Sequence, residues 1–289
     1  MLPLSFYATQ ALHGLVYGML LFLVASGLTL VFGMLRILNM AHAAFYMLGA
    51  YVAYSTVTLT GSFWLSLFVV PALIGLLGMT IEHALLRRMS VRGHVPELLL
   101  TYGLFFMMGE IVLWTWGSFP LQVPAPAALQ GSLPLLGARY PVYRLFILAI
   151  SCVICAGMAL VLLRTRLGIV IRSTVSDGEM VSALGIDASR VRSMVFGAGA
   201  ALAAFAGAIA APFLQAEPTM GAAILVDAFV VVVVGGLGSL LGALLAALLI
   251  GELQSFGILL LPEFALVFQF MLMAAVLIFR PQGLLGEAS

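Results

Sequence analysis

The sequence predicts an all-α, polytopic membrane protein of about eight transmembrane helices, with broken or re-entrant segments among them. Of its 289 residues, 64% are hydrophobic and only 8% are charged, far from the composition of a soluble domain. No charge precedes Arg36, and the run from Ile37 to Ile81 is also uncharged, which leaves room for two spans of about 20 residues each. These runs lack the polar and apolar alternation of membrane-barrel strands, so the spans are helices.

The apolar runs place the helices in order. We predict them near Ala11–Leu35, Ala41–Leu59, Phe63–Leu86, Glu97–Trp116, Tyr143–Leu163, Ser193–Ala211, Leu225–Gly251 and Phe264–Phe279. The first residues lack a basic segment, and the apolar run that follows is too long for a cleaved signal. The first span is therefore expected to remain in the protein.

Arginine orients these helices, because short cytoplasmic loops are enriched in arginine and lysine. Three arginines lie within 87–92, and five more lie within 164–192, two spans later. Both segments are therefore expected to be cytoplasmic, whereas the loop 117–141, with a single Arg139, suits the outside. The same count places the C-terminus outside and leaves Arg280 on the less favoured side, which suggests a miscounted span near 225–262.

The segment Arg164–Arg192, which we call the polar loop, is the longest water-compatible stretch of the chain, with five arginines and three acids. Ser176 and Glu179 have the spacing of a capping box, which predicts a helix start. Met180, Val181 and Leu184 then fall on one helical face, and Gly185 provides a stop. The pattern predicts a short amphipathic helix, exposed at the membrane surface, that needs packing to be stable.

Two hydrophobic segments are interrupted by polar or small residues. The first, around residues 27–53, contains Asn39 and His42, and the second, 227–251, contains Gly235, Gly236, Gly238 and Ser239. Backbone groups freed at such breaks must face protein or a water-filled cavity, so paired broken helices indicate a translocation path. The alternatives are an interfacial position for Asn39 and His42, and a helix-packing face at Gly238 and Gly242.

Several other classes of function find no support in the sequence. The chain has no lysine, so it lacks the P-loop of an ATPase, and its net charge of +1 argues against nucleic-acid binding. Cys152 and Cys155 have no second pair or nearby histidine to complete a metal or redox site. The four histidines lie on separate segments without a nucleophile motif. We expect neither enzymatic activity nor a cofactor.

Three motifs together resemble a known family. They are GLTLVFG followed by NMAHAAFYMLGAYVA, then RTRLGIVIRSTVSDGEMVSALGID, and finally AFVVVVVGGLGSLLGALLAALLIG. In this order they resemble the inner-membrane permeases of bacterial branched-chain amino acid ABC importers, of the LivH type, over residues 11–285. The chain departs from the family at Ala43 and Ala44, where a Gly-Glu pair is frequent.

The resemblance implies an ABC importer permease fold, with residues 1–289 as a single transmembrane domain and 164–192 as its cytoplasmic coupling loop. The implied partners are a second related permease, two cytoplasmic ABC ATPases, an extracytoplasmic substrate-binding protein and the lipid bilayer. The residues implied to contact an ATPase are Glu179, Met180, Ser182, Ala183, Leu184, Gly185, Ile186 and Asp187.

Rival transport functions remain open at this stage. Glu82, Glu110, Asp227, Glu252 and Glu263 lie within or beside spans, and buried acids there suit a proton-coupled carrier or a channel. Most of these positions are compatible with pairing or capping: Glu82 lies near the 87–92 arginines, and Asp227 is expected to begin its helix. Within the family, urea, short amides or aromatic acids are alternatives to branched-chain amino acids.

Overall fold

The computed structural model describes residues 4–35, 39–90, 92–135 and 137–286. Arg36 lies outside these ranges. Over them the chain forms helices α1 (Leu4–Leu35), α2 (Ala41–Thr60), α3 (Phe63–Ile81), α4 (Arg87–Ser90), α5 (His94–Trp116), α6 (Val142–Arg164), α7 (Arg166–Ser176), α8 (Gly178–Ala183), α9 (Ala188–Leu214), α10 (Met220–Gly235), α11 (Leu240–Leu260) and α12 (Ala265–Phe279). A π-helical turn, Glu82–Leu86, joins α3 to α4.

Six segments of the described chain are long and apolar enough to cross a membrane. They are α1, α3 continued through α4, α5, α6, α9 and α11, and α10 and α12 are shorter apolar helices. Helix α2 is more polar, and its residues Ala41–Tyr51 are all buried inside the protein. An all-α, polytopic architecture is therefore confirmed, with the first half of α2 enclosed by its neighbours.

The core of the bundle is the crossing of α1, α2 and α9, where small residues bring backbones into contact. A Cβ atom on Gly207 of α9 would lie 1.9 Å from the carbonyl oxygen of Tyr46 on α2. A Cβ on Gly27 of α1 would lie 2.6 Å from the carbonyl oxygen of Gly199 on α9. Such close approach is typical of membrane helices, which associate through packing of small residues.

The two ends of the bundle follow from a few contacts. The start of α1 lies at one end, where Gly137 contacts Ser5 and two short strands, β1 (Ser132–Leu135) and β2 (Ala138–Pro141), form a hairpin. The end of α3 lies at the opposite end, where Glu82 is hydrogen bonded to Ser193 near the start of α9. We call these the outer end and the inner end, since the polar loop and the arginines of 87–92 belong to the latter.

The predicted single helix over 225–251 is wrong in one respect, because the structure divides it into α10 and α11. Gly236 and Gly238 have φ angles of 102° and 85° in the turn between them, a region that glycine adopts at no steric cost. Ser239 then caps α11 by accepting a hydrogen bond from the backbone N–H of Gly242, at 3.1 Å.

This break also corrects the predicted side of the C-terminus. The backbone N–H of Leu284 donates to the carbonyl of Val234 at 2.8 Å, and that of Leu285 donates to Gly235 at 3.1 Å. The segment after α12 therefore packs on the α10–α11 turn, and that turn approaches Gly33 near the inner end of α1. One additional crossing of the bundle brings Arg280 to the inner end, with the other arginine-rich segments.

Candidate translocation and coupling sites

Asn39 and His42 lie at the buried start of α2, against the inner half of α1. Both are 1% exposed, and the backbone N–H of His42 donates to the carbonyl of Asn39 at 3.1 Å. The His42 Nε2 atom lies 3.0 Å from the carbonyl oxygen of Val24 and must carry the proton, because a carbonyl only accepts. The Asn39 amide and His42 Nδ1 have no hydrogen-bond partner within the described residues, so these are polar groups held inside the bundle.

The second predicted set forms a glycine turn at the inner end. Gly235 packs on Gly242, where an added Cβ would lie 2.5 Å from the Gly242 carbonyl carbon. A Cβ on Gly236 would lie 2.5 Å from the backbone nitrogen of Gly286. Among the described residues, a Cβ on Gly238 would meet Gly33 alone, with its Cα 3.9 Å away, and Ser239 acts as the cap of α11. These residues form a close-packed turn that joins α10, α11 and the C-terminal segment.

The two predicted sets of path residues both lie against α1, but they do not form one cluster. The glycine turn approaches α1 at Gly33, whereas His42 packs on α1 at Gly27, where an added Cβ would lie 2.9 Å from His42 Cε1. Both positions lie on the inner half of α1, about 1.7 helical turns apart. A shift of α1 would therefore act on both sets.

The polar loop folds into α7 and α8, and its predicted capping box is wrong. Ser176 is the last residue of α7, and the N-cap of α8 is Asp177, whose Oδ1 accepts from the backbone N–H groups of Glu179 and Met180 at 3.1 and 2.9 Å. Asp177 has the extended backbone that an N-cap requires, and its carboxylate also suits the positive end of a helix. The helix start is one residue later than predicted.

The predicted stop at Gly185 is present. Gly185 has a φ angle of 86°, its N–H donates to the carbonyl of Ser182, and the N–H of Ile186 donates to that of Val181. This pair of bonds is a Schellman motif, which satisfies the last carbonyls of a helix. Asp187 then caps α9 by accepting from Ser189 and Arg190, each at 3.1 Å. The short α8 is thus fixed at both ends.

The three apolar residues predicted to share a face of the short helix differ in burial. Val181 is 5% exposed and holds the helix against the protein, whereas Met180 and Leu184 are 58% and 74% exposed. The other predicted coupling residues are exposed as well: Glu179, Ser182, Ala183, Gly185, Ile186 and Asp187. The polar loop therefore presents apolar side chains to the inner side, which suits a docking surface.

Two of the acids lie in environments that their sequence positions did not predict. Glu82 is fully buried and bonded to Ser193, without an arginine partner among the described residues. Asp227 lies two turns into α10 and not at its start, and its carboxylate accepts hydrogen bonds from Tyr17 at 2.8 Å and Gln269 at 3.1 Å. These partners come from α1 and α12, far away in sequence, so no local pattern could have indicated them.

Comparisons with known proteins cover nearly the whole chain. Residues 10–277 match the family model described as the permease component of branched-chain amino acid transport systems. The chain is 28% identical to the high-affinity branched-chain amino acid transport system permease protein BraD of Pseudomonas aeruginosa, over 97% of this chain and 96% of that protein.

Two further relatives are the corresponding permease protein LivH of Salmonella typhimurium and a probable LivH of Methanocaldococcus jannaschii. Each is 28% identical; the first match covers 98% of this chain and 96% of the relative, and the second covers 94% and 90%. No solved structure matches the chain significantly.

Proposed function

Since this chain belongs to the family of permease components of branched-chain amino acid transport systems, we propose that it forms the path by which branched-chain or related amino acids enter the cell. It is a multi-pass inner-membrane transport subunit of an ABC system, which works with ATPase and binding-protein partners. We further propose that it pairs with a second, related permease, and that two ATPases bind the pair from the cytoplasm.

The energy for transport comes from the partner chains, since this chain has no lysine and hence no P-loop. Its proposed contact with an ATPase is the polar loop, 164–192. The observation that carries this proposal is that α8 is capped at both ends and anchored by Val181, while Met180 and Leu184 remain exposed. Exposed apolar side chains on a rigid helix are suited to a cleft in a soluble partner.

The proposed path passes the two interrupted segments. Asn39 and His42 supply buried polar groups at the start of α2, and the turn Gly235–Ser239 lies at the inner end of α10. Both contact the inner half of α1, so a movement transmitted from the ATPases to α1 alters the two together. Weak binding along such a path favours release of the solute, which assigns much of the substrate choice to the binding protein.

The proposal is tested by Leu184→Asp, with Leu133→Asp in the outer hairpin as a matched control. A charge at Leu184 removes the exposed apolar contact without disturbing the interior, because Leu184 is 74% exposed. We expect uptake of leucine by membrane vesicles to fall at least about tenfold, because loss of one central contact in a protein interface weakens binding by that factor or more. The control is expected to transport normally. Normal uptake and ATPase association in Leu184→Asp would contradict the assignment.

A proton-coupled carrier is the second candidate, favoured by the buried carboxylate of Asp227. The two candidates differ in their energy source. Vesicles supplied with ATP but with a collapsed proton gradient are expected to keep full uptake if the ABC mechanism is correct. Loss of uptake under these conditions would favour the carrier.

A further inference from the structure

A cavity of about 300 Å³ opens at the outer end of the bundle, away from the two interrupted segments. It lies between α1, α6, α11 and the end of α9, and its polar lining includes His13, Tyr17, Arg144 and Gln254. His13 and Tyr17 are four residues apart on α1 and so share one face of the helix. The volume is at the lower end of the range of about 300–1,000 Å³ for small-molecule pockets.

Arg144 gives this cavity a positive group without a carboxylate partner. Among the described residues, the one ion pair within 4.0 Å joins Arg190 and Asp187 at the inner end. The guanidinium of Arg144 is instead hydrogen bonded to His13 and lies 4.5 Å from the ring centroid of Phe213. These neutral contacts fix its position but leave its charge unpaired. A guanidinium has five N–H donors and no acceptor, so its natural ligand is a carboxylate.

Tyr17 and Gln254 give the cavity hydrogen-bond acceptors with a negative charge behind them. The Tyr17 hydroxyl donates to Asp227 at 2.8 Å, so its oxygen can act only as an acceptor toward a ligand. The Gln254 Oε1 atom is buried and has no partner within the described residues. Asp227 is 9% exposed, and no cationic side chain among the described residues lies within 4.0 Å of its carboxylate. A buried carboxylate without such a partner is costly. An ammonium group, which only donates, fits these acceptors.

The remainder of the lining is apolar. Val16, Phe213 and Ile258 line the cavity together with the polar groups. A ligand held by charges at both ends can therefore place a hydrocarbon side chain against this wall, where its burial is favourable.

We propose that this cavity is an outer subsite for the zwitterion of an α-amino acid, with the carboxylate at Arg144 and the ammonium group at Tyr17 and Gln254, before Asp227. The inference rests on the proposed function as an amino acid permease and adds where and how the solute is first received. Urea and simple amides carry neither charge, so they lack the groups that Arg144 and Asp227 attract. The subsite thus selects amino acids within the range of solutes that the family resemblance leaves open.

The first test replaces Arg144 in the complete importer, reconstituted in liposomes with its ATPases, partner permease and binding protein. Arg144→Gln is expected to lower leucine uptake at least about tenfold, as for a lost charge-assisted hydrogen bond. Arg144→Lys restores part of the uptake because it keeps the charge. Arg139→Gln is the matched control, because Arg139 is exposed at the same end but does not line the cavity, and it is expected to leave uptake unchanged.

The second test replaces the negative group. Asp227→Asn is expected to lower leucine uptake by a similar factor, whereas Glu217→Gln, in the exposed turn before α10, has no effect. In both tests, ATP hydrolysis stimulated by leucine-loaded binding protein is measured in parallel and should persist, which shows that the complex has assembled. If a variant fails to assemble, Gln254→Leu replaces it, since removal of an unpartnered oxygen costs the fold little.

The outcomes separate this inference from the proposed function. Absence of ATP-dependent leucine uptake by the wild-type importer would overturn the proposed function. If the wild-type importer transports leucine and uptake by Arg144→Gln or Asp227→Asn stays within about twofold of it, the subsite alone is overturned. Loss of one hydrogen bond to a charged group produces a larger decrease. An equal loss in Arg139→Gln would also overturn it, because the effect would then belong to general charge at the outer end.

Discussion

The core of the bundle and the polar loop are held together by opposite means. In the core, α1, α2 and α9 approach so closely that backbone atoms touch at glycines, as at Gly207 and Gly27. In the polar loop, α8 is held by Val181, which is its one buried residue, and by hydrogen bonds at its two ends. The core thus has no room for a side chain at these glycines, whereas the loop combines a fixed backbone with exposed side chains.

This difference indicates where motion is expected. Closely packed interiors move as rigid units and transmit displacement. A push on α8 is therefore passed to α7 and α9, which it contacts, and α7 in turn contacts α1. Surface side chains such as Leu184 remain available to a partner. Substitutions in the core should therefore affect folding, and substitutions on α8 should affect coupling.

The largest effect is expected for Gly207→Leu in the core. The added Cβ would lie 1.9 Å from the Tyr46 carbonyl oxygen, so α2 and α9 would have to separate. We expect a loss of stability of about 3 kcal/mol or more, measured as thermal unfolding in detergent. Gly157→Leu on α6 is the control, because a Cβ there meets no atom of the described residues within 4 Å. Equal stability of the two variants would show that the core is not close-packed.

The next effect is expected for Gly236→Leu in the turn between α10 and α11. Gly236 has a φ angle of 102°, and an added side chain would collide with Gly286. We expect uptake to be abolished while the complex still assembles. Gly61→Leu has a similar backbone strain, with a φ angle of 70°, but an added Cβ there meets no described residue within 4 Å. This variant should transport normally. Normal uptake in Gly236→Leu would remove this turn from the proposed path.

A pair of adjacent substitutions in α8 sharpens the comparison. Val181→Asp places a charge at a buried position and should unfold α8 at a cost of about 3 kcal/mol, seen as rapid proteolysis of the polar loop. Met180→Asp, at a position that is 58% exposed, should leave the loop resistant to protease but reduce uptake. The same protease sensitivity in both variants would contradict the distinction between an anchoring and a docking side chain.

The smallest effect is expected for Asp187→Ala, which removes the N-cap of α9. Loss of such a cap costs about 1 kcal/mol, detectable as a small decrease in thermal stability. Glu179→Ala, whose side chain has no hydrogen bond or ion pair among those described, is the control and should change stability by less than about 0.5 kcal/mol. A loss as large as that of Gly207→Leu would show that the polar loop is part of the rigid core.

The helices were largely predictable because long apolar runs dominate the chain. The predicted bounds of α3, α5 and α6 agree with the structure to within a few residues, since each run ends at arginine, glycine or tryptophan. The division of 225–251 into two helices was harder to predict, because Leu240–Leu260 continues the apolar run after the glycines. Local sequence thus indicated the interruption at Gly236 and Gly238 but not the resulting number of crossings.

The candidate sites were predictable only where their signals are local. The glycine stop of α8 depends on neighbouring residues and was identified, whereas the N-cap was displaced from Ser176 to the adjacent Asp177. The hydrogen bonds of Asp227 to Tyr17 and Gln269 join three helices across 210 and 42 residues. Contacts of this range depend on helix packing, so the outer cavity could be recognised only in the folded protein.

The central claim is that Leu184 faces an ATPase at the inner end of the bundle. It is tested most directly by Leu184→Cys in a variant that also carries Cys152→Ser and Cys155→Ser, treated with a thiol-to-amine crosslinker in the assembled importer. We expect Leu184→Cys to capture an ATPase subunit, and the equivalent Leu133→Cys in the outer hairpin to capture none. Capture of the binding protein by Leu184→Cys, or of no ATPase, would contradict the account.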